Sequence, residues 1–142
     1  MIEKTIAKWH QHLRGELPGG LDELLHEDCV FFSPVVFTPQ KGRTLTKLYL
    51  EAASQALPGE TGDAKNPSSG AGSFRYTKKI FMGHQAALEF ETTVDGKSVN
   101  GIDIITCDDA GQITEFRVMI RPLQAVNAVH RQMQALLKSM QS

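Results

Sequence analysis

The sequence predicts an α+β domain in which helices gather on the concave face of a curved antiparallel sheet. Apolar residues recur at helical spacing early in the chain, four runs of strand composition separated by hairpin signals fill its second half, and a proline opens a last helical stretch. The 142 residues, 41% apolar and 22% charged, suit one hydrophobic core, so residues 1–142 are read as a single domain.

From Ile2 to Leu13, the residues Ile2, Ile6, Trp9 and Leu13 form one stripe on an amphipathic helix, which Leu17-Pro-Gly-Gly ends. A short second helical piece, Leu21 to His26 with Asp22 near its start, leads into Cys29-Val-Phe-Phe-Ser-Pro, a β-branched and aromatic run closed by Pro34 as a short first strand. After the turn-rich Thr38-Pro-Gln-Lys-Gly, residues Leu45, Leu48, Tyr49, Ala52, Ala53 and Ala56 follow the pattern of a core-facing helix, stopped by Pro58 and Gly59. From Pro58 to Gly72 the chain is rich in Gly, Ser, Pro, Asn and Asp and long for a connection, so a mobile or functional loop is expected; the family resemblance described below would set it near the mouth of a cavity.

An antiparallel meander follows, over Phe74 to Met82, Ala86 to Val94, Ser98 to Thr106 and Ile113 to Arg121. Gly83-His84, Asp95-Gly96 and Asp109-Ala-Gly111 mark its hairpins. Pro122 opens the final helix, with Leu123, Val126, His130, Met133 and Leu137 along one side. In Ile102-Asp-Ile-Ile, alternation puts Ile102 and Ile104 on one face and Asp103 with Ile105 on the other, so both faces carry bulky apolar groups. Helices cover one face. The other, convex face needs a partner, and a homodimer is the expected one.

Fifteen basic and sixteen acidic residues leave a formal charge of -1, with no Lys/Arg stripe to neutralise a row of phosphates, so nucleic acid is not an expected partner. Apolar runs are far shorter than the roughly 20 residues that span a bilayer. Charges stand where a signal peptide places its apolar stretch, so no membrane association is expected and the location is read as cytoplasmic. Cys29 and Cys107 lie far apart in strand-like apolar surroundings and read as two buried free thiols, not a metal or disulfide pair. Gly70-Ala-Gly72 is too short for a phosphate loop, and Ser33-Pro34 lacks the glycines around a nucleophilic serine, so neither a nucleotide cofactor nor covalent catalysis is suggested.

Leu24-Leu-His-Glu-Asp-Cys-Val-Phe-Phe-Ser-Pro, Val99-Asn-Gly-Ile-Asp-Ile-Ile and Gly111-Gln-Ile-Thr-Glu-Phe, in this order, resemble the short helix, first strand and last hairpin of the SnoaL-like branch of the nuclear transport factor 2-like superfamily. The resemblance covers nearly the whole chain. It implies a cone-shaped, cystatin-like roll with a conical cavity between helices and sheet, and a superfamily that includes ketosteroid isomerase, scytalone dehydratase, limonene epoxide hydrolase and polyketide cyclases. Acid/base chemistry without metal or cofactor is the chemistry so implied. Fold alone does not select among these reactions.

Asp103 is the leading candidate, because a carboxylate between isoleucines in mid-sheet must be paired, hydrated or kept neutral. The resemblance implies that it points into the cavity as a catalytic base. The alternative is an Asp at a sheet end or dimer contact, satisfied by Arg or backbone N–H groups. Tyr49 or Tyr76 would polarise a carbonyl oxygen, or else be core tyrosines with satisfied hydroxyls. Ile105 and Val118 are further ligand contacts; at Val118 relatives tend to carry a second inward carboxylate, which this chain lacks. His26, ending the second helix near the cavity wall, completes the candidate set, while His10, His12, His84 and His130 read as surface or structural. The expected ligand is a small, mostly apolar molecule. The expected role is binding, with isomerase-, dehydratase- or cyclase-type proton transfer, or alternatively a non-catalytic dimeric association module.

Overall fold

The computed structural model describes residues 1–56 and 74–141. In order they form α1 (Ile2–Leu13), α2 (Gly20–Leu24), β1 (Leu25–Phe32), β2 (Gln40–Lys41), α3 (Arg43–Ala56), β3 (Arg75–Met82), β4 (Gln85–Val94), β5 (Lys97–Cys107), β6 (Ile113–Arg121) and α4 (Leu123–Gln141). The Pro58–Gly72 segment expected as a mobile loop lies outside the described residues.

The sheet has the order β2-β1-β6-β5-β4-β3. The meander β3 to β6 is antiparallel as expected, and the sheet as a whole is mixed, because β1 runs parallel to β6, with Phe31 beside Phe116. Composition marks hairpins between sequence neighbours, whereas this pairing joins strands separated by most of the chain, so no local signal reveals it. The first strand also starts earlier than predicted, at Leu25 beside Ile113. The polar His26, Glu27 and Asp28 belong to it because backbone pairing, with an irregularity between Leu25 and Val30, outweighs their side-chain preferences. Gln40–Lys41, read as turn, pairs with β1 as a two-residue edge strand.

Alternation decides which side of the meander is dry. On β4 the residues Ala86, Leu88, Phe90, Thr92 and Val94 are buried, and on β5 Val99, Gly101, Asp103, Ile105 and Cys107. The β4–β5 turn holds the register: Val94 pairs with Lys97 across Asp95-Gly96, and both turn residues take the left-handed φ (52° and 72°) that this turn requires.

Helix α1 lays Ile2, Ile6 and Trp9 on the inner face and is tied to two hairpins, through Ile2 N–H to Gly83 O (3.0 Å) and Thr5 Oγ1 to Gly111 O (2.9 Å). On α4 the buried residues are Ala125, Ala128, Val129 and Met133, so the buried stripe is rotated from the predicted one; Leu123 is 73% exposed. Small residues there let the helix approach the sheet and α3 closely.

The inner face carries two apolar clusters. One gathers Ile6, Trp9, Leu88, Ile105 and Phe116, the other Phe74, Phe90, Val99, Ala128 and Val129. Burial of each large side chain contributes on the order of 2 kcal/mol, and the Phe74–Phe90 stack at 4.7 Å adds about 1 kcal/mol. Tyr49, Tyr76 and Val118 are only partly buried and pack against both clusters, so they mark the seam between them. Among the described residues no helix is long and apolar enough to cross a membrane.

Candidate functional site

Asp103 lies in the middle of β5, itself between β4 and β6, directly opposite Leu88 on one side and Val118 on the other. Alternation along β5 turns its side chain inward with Gly101 and Ile105, and only 5% of the residue is exposed. Gly101 leaves room that any Cβ would fill: it would overlap the tip of the Phe90 ring and lie 2.8 Å from the Met119 carbonyl. The ring of Phe90 thus lies over Gly101, the inward residue of β5 two before Asp103.

One polar chain reaches Asp103. The Tyr76 hydroxyl, from the sheet-edge strand β3, donates to Oδ2 at 2.7 Å, and the Trp9 indole Nε1–H, from α1, donates to the Tyr76 oxygen at 2.9 Å. Tyr76 pairs with Phe90, and a register irregularity in β3 falls just after it. Among the described residues the Tyr76 hydroxyl is the one hydrogen-bond partner of Asp103, and no cation pairs with the carboxylate. Burial pushes its pKa from 3.8 up to about 7, against the opposing pull of the Tyr76 hydrogen bond. The order of these effects is physical: removing a carboxylate from water costs several kcal/mol, and one neutral donor returns only part of it.

The remaining predicted residues are placed as follows. Val118 and Ile105 share the inner face with Asp103, and Val118 sets an aliphatic side chain where a second carboxylate would face it. Tyr49 projects from α3 with its ring 5.6 Å from that of Phe31, and among the described residues its hydroxyl has no hydrogen-bond partner. His26 stands in β1 and not at a helix end, half-buried, and its Nδ1 accepts the Asp28 N–H at 2.9 Å.

Two residues that sequence reasoning set aside belong beside the site. Trp9 was a core residue of the α1 stripe, and nothing in that spacing says where its N–H points. His10, next to it, lies edge-on to Tyr76 with ring centroids 5.5 Å apart. Its Nε2 is 3.1 Å from Lys79 Nζ, and burial, then Lys79 and Arg14, lower its pKa to about 4. At neutral pH it is therefore an uncharged acceptor for Lys79.

The outer face of the sheet differs. A concavity of about 370 Å3 there is lined by Lys78, Glu89, Ile102, Met119 and Arg121, on the side opposite Asp103. Among the described residues no cluster of three metal-ligating side chains occurs.

No family model and no curated protein matches this sequence. Solved structures do. A steroid delta-isomerase from Pseudomonas aeruginosa is 30% identical, with 98% of this chain and 93% of that chain covered and a TM-score of 0.81. A bacterial protein with a cystatin-like fold from Silicibacter pomeroyi is 28% identical over 92% and 83% of the two chains, with a TM-score of 0.75. A SnoaL-like family structure from Agrobacterium tumefaciens shares the fold at 13% identity, 84% and 96% coverage and a TM-score of 0.55.

Proposed function

We propose that this chain, which belongs to the SnoaL-like branch of the nuclear transport factor 2-like superfamily, binds a small, mostly apolar carbonyl compound and moves a proton next to its carbonyl group, with Asp103 as the proton carrier. The observation that carries the reading is Asp103 itself: buried among aliphatic side chains, held by a neutral hydroxyl, and poised to exchange a proton at about pH 7. A base with that pKa takes a proton from carbon at neutral pH and returns it without help from a second carboxylate, which Val118 does not supply.

In an isomerisation of this kind, Asp103 accepts the proton from the carbon next to the carbonyl, and the electron pair delocalises onto the carbonyl oxygen as a dienolate. The same proton then returns to the γ-carbon. Asp103 ends as it began. The oxygen that gains charge needs a donor. Tyr76 gives its proton to Asp103, so Tyr49, whose hydroxyl is uncommitted among the described residues, is the better candidate for that role. The steroid delta-isomerase relative makes β,γ-unsaturated cyclic ketones the first substrates to try.

The test is deuterium incorporation next to the carbonyl, followed by proton NMR, across a panel of cyclic ketones that includes β,γ-unsaturated steroid ketones. Wild-type protein is expected to exchange or isomerise at least one of them. Asp103→Asn, which keeps the shape and cannot accept the proton, is expected to lose roughly 100-fold or more of that rate while remaining folded. Binding without exchange across the whole panel would overturn the chemistry and leave a binding role.

A further inference from the structure

We propose that the Asp103 site takes small apolar amines as a second class of ligand, the protonated amine standing at Asp103 Oδ1 as the cation that the described residues do not supply. The inference rests on the reading that ligands reach Asp103. It does not depend on turnover.

A buried carboxylate ordinarily meets an Arg or Lys of its own fold, since a charge out of water without a partner is costly. Among the described residues Asp103 meets neither. It is 5% exposed, its one hydrogen bond comes from the neutral Tyr76 hydroxyl to Oδ2, and Oδ1 has none. Burial is the main influence on its proton affinity, with no neighbouring charge beside it.

The surroundings select the rest of the ligand. Leu88 and Val118 stand opposite Asp103 across the two ladders, Gly101 and Ile105 are its inward neighbours on β5, Phe90 lies over Gly101, and Phe116 stands opposite Ile105. Aliphatic walls fit a hydrocarbon body, and an ammonium group is the charge that aromatic rings attract. An acid would bring a second negative charge to Asp103. A neutral hydrocarbon would leave Oδ1 unpaired.

Forming a buried ion pair usually takes two groups out of water. Here folding has already taken out the carboxylate, so only the ammonium group remains to be desolvated, and its attraction to Asp103 acts where water screens it least. Binding therefore selects the ionised carboxylate. Wherever the free site holds a proton on Asp103, the amine drives that proton off.

Other ionisable groups stand on the elements around this face: His10, His12 and Arg14 on α1, Cys29 on β1, Tyr49 and Glu51 on α3, Tyr76 and Lys79 on β3, Cys107 on β5 and His130 on α4. His10 is already uncharged at neutral pH, its pKa lowered to about 4 by burial, Lys79 and Arg14. The Asp103→Asn variant separates the others from Asp103.

The test is titration calorimetry on the full chain with aminoindane, a compact bicyclic amine, beside indanol, a neutral body of the same shape whose hydroxyl can bond Oδ1 in either protonation state. At about pH 8, aminoindane is expected to bind at least roughly tenfold tighter. From about pH 8 to about pH 6 its affinity is expected to fall about tenfold while that of indanol stays level. Across a pKa of about 7 the ionised fraction of Asp103 drops from about nine tenths to about one tenth, and the amine stays protonated. Near pH 6, paired buffers of different ionisation enthalpy are expected to show about one proton released per amine bound. Asp103→Asn is expected to bind the two compounds equally, its affinity for indanol showing that the site is intact. An amine that binds wild type no better than indanol, an affinity that is level across this pH range, or a preference that survives in Asp103→Asn overturns the proposal. The pH and proton-release readings need no variant. Deuterium exchange into ketones is a separate reading: its absence leaves amine binding standing, and exchange without amine binding overturns this inference alone.

Discussion

The two faces of β5 are built from the same eleven residues and handle polar groups in opposite ways. Outward, Asn100 bonds Glu89 at 3.1 Å, Arg121 bonds Asn100 at 3.3 Å, and Arg75 pairs with Glu91 at 2.6 Å one strand away. Each charge there has a partner or water, and such exposed pairs are worth about 0–1 kcal/mol. Inward, Asp103 has no cation beside it among the described residues and is bonded by a hydroxyl, and its proton equilibrium is moved by orders of magnitude. A polar group changes its chemistry where water is excluded and compensation is incomplete. The inner face has that condition and the outer face lacks it.

The largest expected effect tests the inner half of this contrast. Asp103 has a folded-state pKa raised from 3.8 to about 7, so its native form binds more protons than the unfolded chain across that interval. Its contribution is full below about pH 4, falls as pH rises to about 7, and is level above, a change on the order of 4 kcal/mol. His10 works in the opposite sense. Its pKa is lowered to about 4, so its contribution grows with pH up to the ordinary histidine value. The two slopes offset each other in a simple scan, and the informative quantity is the difference between wild type and Asp103→Asn. In urea unfolding from pH 4 to 8, the Asn variant is expected to gain on wild type until about pH 7. A difference that runs the other way would mean a depressed pKa and a hidden countercharge, erasing the contrast between the faces.

Packing beside the carboxylate gives the next effect. Gly101→Ala puts a methyl group against the Phe90 ring and the Met119 carbonyl, and the carbonyl is fixed in the β5–β6 ladder. A loss of about 1–3 kcal/mol in unfolding free energy is expected, the usual cost of overpacking. An unchanged midpoint would show that the inner face has slack next to Asp103.

How much of this was legible differs by element. Hairpin signals such as Asp95-Gly96 and the alternation within Ile102-Asp-Ile-Ile located β3 to β6 and put Asp103 on one face with Ile105, opposite Ile102 and Ile104. The β1–β6 pairing was not legible because no local composition encodes a contact between distant strands. Nor was the Trp9–Tyr76–Asp103 chain, which joins α1, β3 and β5. Each member had a sufficient local explanation, Trp9 as a helix-stripe residue and Tyr76 as a strand aromatic, so only tertiary geometry reveals the link. His26 shows a different limit: the sequence placed it at the end of a helix, and backbone pairing puts it in β1, with its Nδ1 accepting the Asp28 N–H.

The smallest effect on the fold, and the one that tests the outer half, is expected for Ile104→Lys. Ile104 is half-buried on the outer face, between Ala87 and Arg117 in register, with Ile80 beyond Ala87 at 57% exposure. Met119, 46% exposed, stands opposite Ile102 in the next row. The apolar centre is flanked by charges of both signs, among them Lys78, Glu89, Arg117 and Arg121, so two copies related by a two-fold axis can set acid against base. A second copy is the occupant this pattern predicts. Lysine tolerates a half-exposed strand position, so the stability of the isolated protomer should change by no more than about 0.5 kcal/mol. Its ammonium cannot be taken out of water against another copy's isoleucines without a large penalty. Sedimentation velocity at micromolar concentration is therefore expected to show a wild-type dimer and a folded monomer for Ile104→Lys. A wild-type monomer would mean that this face meets water as it stands, and that the apolar residues outward of β5 serve only the sheet.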